Sequence, residues 1–264
     1  MRRFLLEWLR EVRKARIGMG QVAWKVDVLL TGNWRGATSV LLSNGGRHVV
    51  VDSGMPHEAH LLVNALEERG LRPSDVTDVI NTHFHVDHVL NNSLFPSSTI
   101  HASQESHDWC VSLYGDLLDE QNWEKLVLKY YPQTHEYERA KNLMAQLRKL
   151  ALRWWDPQRL GDRSRFSWVE KHALPEGLEA LVTSGHVPGH LSIIVENADL
   201  PAIIAGDALL TRQHDDQVLT MIPHNREQSQ RDRARILAMP GRILPGHDQE
   251  FSTAHPQDAE PFAP

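Results

Sequence analysis

Apolar residues recur along this chain in two rhythms, short β-branched runs and longer stretches with helical spacing, and their order predicts the architecture. Ser39 to Ser43 and Arg47 to Asp52 read as paired strands around Asn44-Gly45-Gly46, a hairpin signal. His57 to Arg69 places Ala59, Leu62, Val63, Ala65 and Leu66 at helical intervals, and Gly70 closes the helix. Val76 to Asn81 is rich in β-branched residues and bounded by turn formers, so it predicts a buried strand. After a strand at Ser98 to Ala102, the region from Gln104 to Trp155 turns helical. Strands return at 178–184, 191–196 and 201–206, and Gln228 to Ala238 is the last clear helix. Two β-rich halves with outer helices predict an α/β protein built as an αββα sandwich. We expect a single domain over residues 21–264, with a helical cap inserted at about 104–172.

The first twenty residues read differently. Arginines precede an apolar run, as in a signal peptide, but Glu7 and Arg10 interrupt it and no small-residue cleavage site follows. Leu5, Trp8, Leu9 and Val12 share one face, so residues 1–20 predict an amphipathic helix. Such a helix would pack on its own domain or on a partner in a homodimer, with membrane-surface attachment the lesser reading. No stretch approaches ~20 uninterrupted apolar residues, so no transmembrane helix is expected.

Chemistry concentrates in Thr82-His83-Phe84-His85-Val86-Asp87-His88, directly after a predicted strand. A packed core has no use for three imidazoles and a carboxylate at one point, whereas two adjacent divalent cations do. Further candidates close later apolar runs: Ser184-Gly185-His186-Val187-Pro188-Gly189-His190, then Asp207 after Ala202 to Gly206, and His247 in Pro245-Gly246-His247. Each of His186, Asp207 and His247 directly follows a glycine, which should let the backbone approach an ion. Asp52, in Val51-Asp52-Ser53-Gly54, is either a turn former or an acceptor behind a ligating imidazole.

Composition narrows the partners. The 264 residues are 41% hydrophobic and carry a net charge of -6, which gives no bulk attraction to a polyanion. A small-molecule substrate is therefore expected, and nucleic acid is disfavoured. The one cysteine, Cys110, excludes an intrachain disulfide and fits a reducing, cytoplasmic setting.

These four ordered motifs resemble the metallo-β-lactamase-fold hydrolase superfamily, over roughly residues 25 to 250. The resemblance implies that His83, His85 and His186 hold a first metal and Asp87, His88 and His247 a second. Asp207 would bridge the two ions. It also implies Asp52 as a supporting acceptor and favours His186 over His190 as ligand, leaving His190 a supporting role. The ions expected on imidazole and carboxylate donors are Zn²⁺, with Mn²⁺ or Fe²⁺ also accommodated. A hydroxide shared by the two metals would attack a small ester, lactone or phosphoester, with Asp87 as the catalytic carboxylate.

Departures from the family pattern limit the branch. Asp207 stands where the β-lactam-hydrolysing members with a cysteine ligand carry that cysteine. The run Asp207-Ala208-Leu209-Leu210 lacks the tyrosine typical of N-acyl homoserine lactonases, and the acidic, Pro-rich tail Phe251 to Pro264 does not resemble the basic patch of glyoxalase II-type thioesterases. The alternative is an RNA-processing nuclease or phosphodiesterase of the same fold, which Leu94-Phe95-Pro96 resembles. Val89-Leu90-Asn91-Asn92 replaces the usual small residues after the first motif. Arg212, His214 and His224 are candidate substrate-binding residues. The aromatic insertion, with all four tyrosines, would pack the cap or line a channel.

Overall fold

The computed structural model describes residues 23–33, 36–119, 122–132, 134, 136–196, 201–213 and 222–253. The helix expected over 1–20, His214 and the tail beyond Thr253 lie outside these residues.

Two sheets form, and each follows from the patterns above. The first runs β1 (Lys25–Leu30), β2 (Ser39–Asn44), β3 (Arg47–Val51), β4 (Asp78–Ile80), β5 (Thr99–Ala102) and β6 (Phe166–Trp168), hydrogen-bonded in that order. The β2–β3 hairpin turns at Gly45 and Gly46, with φ of 56° and 95°, a conformation that glycine adopts without a Cβ clash. The second sheet has the order β11 (Phe251–Thr253), β10 (Gly241–Pro245), β9 (Ala202–Gly206), β8 (Leu191–Val195) and β7 (Leu178–Val182). Residues 166–168, assigned from sequence to the helical insertion, instead extend the first sheet. They pair parallel with β5 through His101 opposite Ser167.

The layers show in the packing. Val40, Leu42, Val49, Val51 and Ile80 of one sheet meet Leu191, Ile193, Val195, Ile204 and Leu244 of the other. Each such side chain contributes about 1.5–3 kcal/mol on full burial. Helix α1 (Ala59–Glu67) covers the outer face of the first sheet through Leu62 and Leu66. On the second sheet Ile236 of α6 (Arg226–Leu237) packs on Ile203 and Ile243.

A short helix, α2 (Val86–Val89), carries the end of the first motif. The cap is α3 (Gln104–Asp119), α4 (Trp123–Tyr130) and α5 (Tyr137–Trp154). Leu113, Tyr114, Tyr130, Tyr131, Met144 and Leu147 form its interior, continuous with Phe84 and Val86 of the first motif. Most of the insertion's aromatics are thus packing residues. No described helix is long and apolar enough to cross a membrane.

Candidate metal centre

Strand ends on the two sheets bring the motif residues to one place. His83, His85 and Asp87 follow β4, His186 follows β7, Asp207 follows β9 and His247 follows β10. Their donor atoms fall into two sets: His83, His85, His186 and Asp207, and then Asp87, His88 and His247.

Asp207 faces both sets, one oxygen to each. Its Oδ2 lies 3.3 Å from His186 Nε2 and 3.8 Å from His83 Nε2. Its Oδ1 lies 3.3 Å from the Nε2 atoms of both His88 and His247. Asp87 Oδ2 completes the second set, 3.4 Å from His247 Nε2. In the first, His85 Nδ1 and His186 Nε2 face each other at 3.1 Å. Donors about 2.1 Å from a tetrahedral ion stand about 3.4 Å from one another, so these separations suit a divalent cation in each set.

The polar atoms in the middle of the cluster have no hydrogen-bond partner. They include Nε2 of His83, His88 and His247 and both oxygens of Asp207, all buried. A buried carboxylate without a donor costs several kcal/mol, and a cation relieves that cost. The residues therefore fit a pair of metal ions.

A second ring of contacts aims these side chains. Asp52 Oδ2 lies 2.8 Å from His88 Nδ1 and accepts the Thr82 hydroxyl at 2.7 Å, while its Oδ1 accepts the Thr82 backbone N–H at 2.8 Å. Asp52 is held at φ 55°, a left-handed conformation that these bonds offset. His190 stands outside the two donor sets: its Nε2 accepts the Asp207 backbone N–H at 3.0 Å, and its Nδ1 meets the Thr183 hydroxyl at 2.8 Å. His247 Nδ1 donates to the Asn33 carbonyl at 2.7 Å. Ordered acceptors of this kind fix the tautomer and aim the other ring nitrogen at an ion.

Two of the glycines before these ligand candidates make room for side chains. A Cβ on Gly246 would stand 2.2 Å from Asp207 Oδ1, and one on Gly206 2.9 Å from His190 Nε2. Both make room for a side chain of the cluster. The unusual Asn91-Asn92 pair braces the motif from below. The Asn91 amide donates to the Ser53 and Met55 carbonyls, and Asn92 exchanges bonds with Asn81 and accepts from Ser53.

Electrostatics divide the sets. Burial pushes His83 and His186 well down and His85 down to about 4. Burial also opposes the charging of His88 and His247, but Asp207, helped by Asp52 at His88 and by Asp87 at both, overcomes it. His88 rises, and His247 rises to about 9.

The three substrate candidates fare differently. Arg212 is exposed, its guanidinium 5.1 Å from the Phe251 ring and its N–H bonded to Asp248, so it is not brought to the cluster. His214 lies outside the described residues. His224 borders the cluster, its N–H donating to the His186 carbonyl at 2.9 Å. It also lines a cleft of about 700 Å³ with Thr134, Glu136, Ile222, Pro223 and Arg226.

The sequence profile of the metallo-beta-lactamase superfamily matches residues 32–247, all but the ends of the sandwich. The chain belongs to this superfamily. Its members are metal-dependent hydrolases, typically with two metals. The metallo-beta-lactamase domain-containing protein 1 of Xenopus laevis is 27% identical over 215 residues, covering 81% of this chain and 71% of that protein. Its human counterpart is 26% identical over 217 residues, covering 82% of this chain and 64% of the longer human protein. Among solved structures, AidC, a dizinc quorum-quenching lactonase, superposes with a TM-score of 0.57 at 16% identity, over 80% of this chain and 72% of its own. That likeness is one of fold.

Proposed function

We propose that this metallo-beta-lactamase superfamily member is a dinuclear hydrolase of small esters, lactones or phosphoesters. One ion is held by His83, His85 and His186, the other by Asp87, His88 and His247, and Asp207 serves both. The observation that carries this reading is Asp207, buried, with each oxygen turned to a different set of imidazoles and neither hydrogen-bonded. Zn²⁺ suits the nitrogen-rich donors best.

Bound there, two such ions supply hydroxide at neutral pH and polarise the substrate's carbonyl or phosphoryl oxygen. The chain supplies placement and proton handling. Asp87 is the one carboxylate of the cluster with appreciable exposure, 20% of its side chain, so its free oxygen can orient the attacking group and take its proton. His190 fixes Asp207 through the backbone, and Asp52 fixes His88.

Charge supports a small substrate over a polynucleotide. The cleft opposes Arg226 with Glu136 and Glu227, and Arg226 is already paired with Glu136. A known lactonase with the same fold supports the lactone arm, and the single buried Cys110 fits a cytoplasmic protein.

The test is metal content of the purified protein together with hydrolysis of an aryl ester, a γ-lactone, an aryl phosphodiester and a short RNA. About two equivalents of metal, with turnover of a small substrate lost on chelation, is the expected result. Turnover by metal-free protein, or cleavage of the RNA alone, would overturn the reading.

A further inference from the structure

Helix α6 has a buried face that apolar packing does not account for. Two of its 12 residues are buried, Asp232 and Ile236, one turn apart. Ile236 packs on Ile203 and Ile243 of the second sheet, as an inward residue should, but its neighbour one turn earlier is a carboxylate only 2% exposed. Burying a carboxylate is costly unless hydrogen bonds satisfy it. Both oxygens of Asp232 are engaged: Oδ2 accepts the Gly185 backbone N–H at 2.9 Å, and Oδ1 accepts the Gln228 side-chain amide at 2.7 Å. Gly185 directly precedes His186, and the same part of the chain closes on it from other directions. The carbonyls of Gly185 and His186 accept the N–H groups of Asn225 and His224, both at 2.9 Å. A Cβ on Gly185 would stand 2.1 Å from the Ser229 backbone nitrogen, so loop and helix touch backbone to backbone. Among these bonds the one to Asp232 comes from a side chain, and hydrogen bonds to a carboxylate are shorter and stronger than those to a neutral acceptor.

We propose that Asp232 is a positioning residue for the first metal: by holding the Gly185 N–H it sets where His186 Nε2 stands against His85 and Asp207. The inference rests on the proposed metal centre and adds a residue that belongs to neither donor set. His83 and His85 share the loop after β4, so His186 is the imidazole of the first set that has to be brought in from the other sheet. Its Nε2 lies 3.1 Å from His85 Nδ1 and 3.3 Å from Asp207 Oδ2, and a shift of about 0.5 Å spoils such a constellation. The second set, Asp87, His88 and His247, has no member on this loop, so Asp232 acts on one ion.

Competition between the full chain and a chelator for Co²⁺, followed by its visible absorption, tests this without turnover. His186→Ala identifies which absorption belongs to the first set. Asp232→Leu removes the acceptor yet suits a buried helix face, so folding and positioning come apart. It should loosen the first ion about 10–100-fold, the scale for a group that orients a ligand from behind, and leave the second unchanged. Asp232→Asn keeps an amide oxygen for the Gly185 N–H, and the Gln228 amide can turn its own oxygen to the new NH₂ group, so most of that affinity should return. Equal loosening of both ions in Asp232→Leu, no loosening, or no recovery in Asp232→Asn would overturn the assignment, whatever the melting temperature does. Absence of bound metal in the unaltered protein would break the metal-centre reading instead. Nitrogen NMR of the His186 ring would then still report on Asp232. One sharp set of ring signals, broadened or doubled in Asp232→Leu, is the expected result, and identical signals in the two proteins would overturn the assignment.

Discussion

The two donor sets meet at Asp207 but are built on opposite physical grounds. His83, His85 and His186 are sealed from solvent, at 4% exposure or less, and His83 and His186 face a single carboxylate oxygen. His88 and His247 face carboxylates on several sides: Asp207 and Asp87 in front, and Asp52 behind His88. Burial governs the first set and keeps its imidazoles neutral. Charge governs the second, where a proton and a bound metal ion would compete for the same nitrogen lone pairs. The difference teaches that burial can keep one set of imidazoles neutral while carboxylates hold its neighbour, a few ångströms away, protonated.

Removing the shared carboxylate tests the comparison most severely. Asp207→Asn takes a charge from both sets, so it should cost both metals and about a thousandfold or more in turnover, the several kcal/mol that such ions supply. Metal analysis and single-substrate kinetics would check it. Retention of one tightly bound ion would show that the first set needs no carboxylate.

A smaller and one-sided effect is expected from Asp52→Asn. Asparagine tolerates the left-handed backbone that Asp52 adopts and still accepts from Thr82, so the fold should hold. His88 loses the anion behind it, and metal affinity at the second set should fall about 10–100-fold, as for other outer carboxylates. Titration with a chelator should show one ion loosened and the other unchanged. Equal loosening would mean that the two sets are not separate.

Acidification should divide them again. His247, raised to about 9, already holds its proton at neutral pH in the metal-free protein, whereas His85, lowered to about 4, does not. A metal must displace that proton, which costs about tenfold in apparent affinity for each pH unit below the group's pKa. Dialysis from pH 8 to pH 5 at fixed free metal should therefore release the second ion first. The sign for the metal-free fold is the reverse of a carboxylate's. Protonated His247 stabilises it in full below the ordinary histidine range and loses that contribution as pH rises through about 9.

How far this was readable beforehand depended on where each contact originates. Side chains in short, ordered motifs were legible: His83, His85, Asp87, His88, His186, Asp207 and His247 converge, and Asp52 lies behind His88. Contacts made by backbone atoms left no trace in residue identity. The Asn33 carbonyl that orients His247 is 214 positions away in the chain, and the Tyr130 carbonyl that orients His224 is 94 away. The three-residue strand Phe166–Trp168 is too short for a period to register, so it was absorbed into the helical insertion. Arg212 combines a charge with closeness to Asp207 in sequence, the two features that make it a candidate. The chain turns there, and the guanidinium stacks on Phe251 instead.

The smallest effect probes how the cap supports the second set. Tyr114, fully buried in α3 and stacked on Trp155 at 4.4 Å, accepts the Val86 N–H at 3.2 Å. Val86 opens α2, the helix that carries Asp87 and His88, and its N–H is one of those a helix start leaves without an internal partner. Tyr114→Phe keeps the ring and its stacking but leaves that N–H buried and unpaired, a cost of about 1–3 kcal/mol. The strain falls on α2, while His83 and His85 precede that helix and His186 lies on a different strand end. A modest drop in melting temperature with looser metal at the second set alone would show that the cap reaches the charge-tuned half of the centre through one hydroxyl. Loosening of both sets would mean instead that the motif from His83 to His88 moves as one rigid piece, and that the contrast between the two halves is electrostatic rather than mechanical.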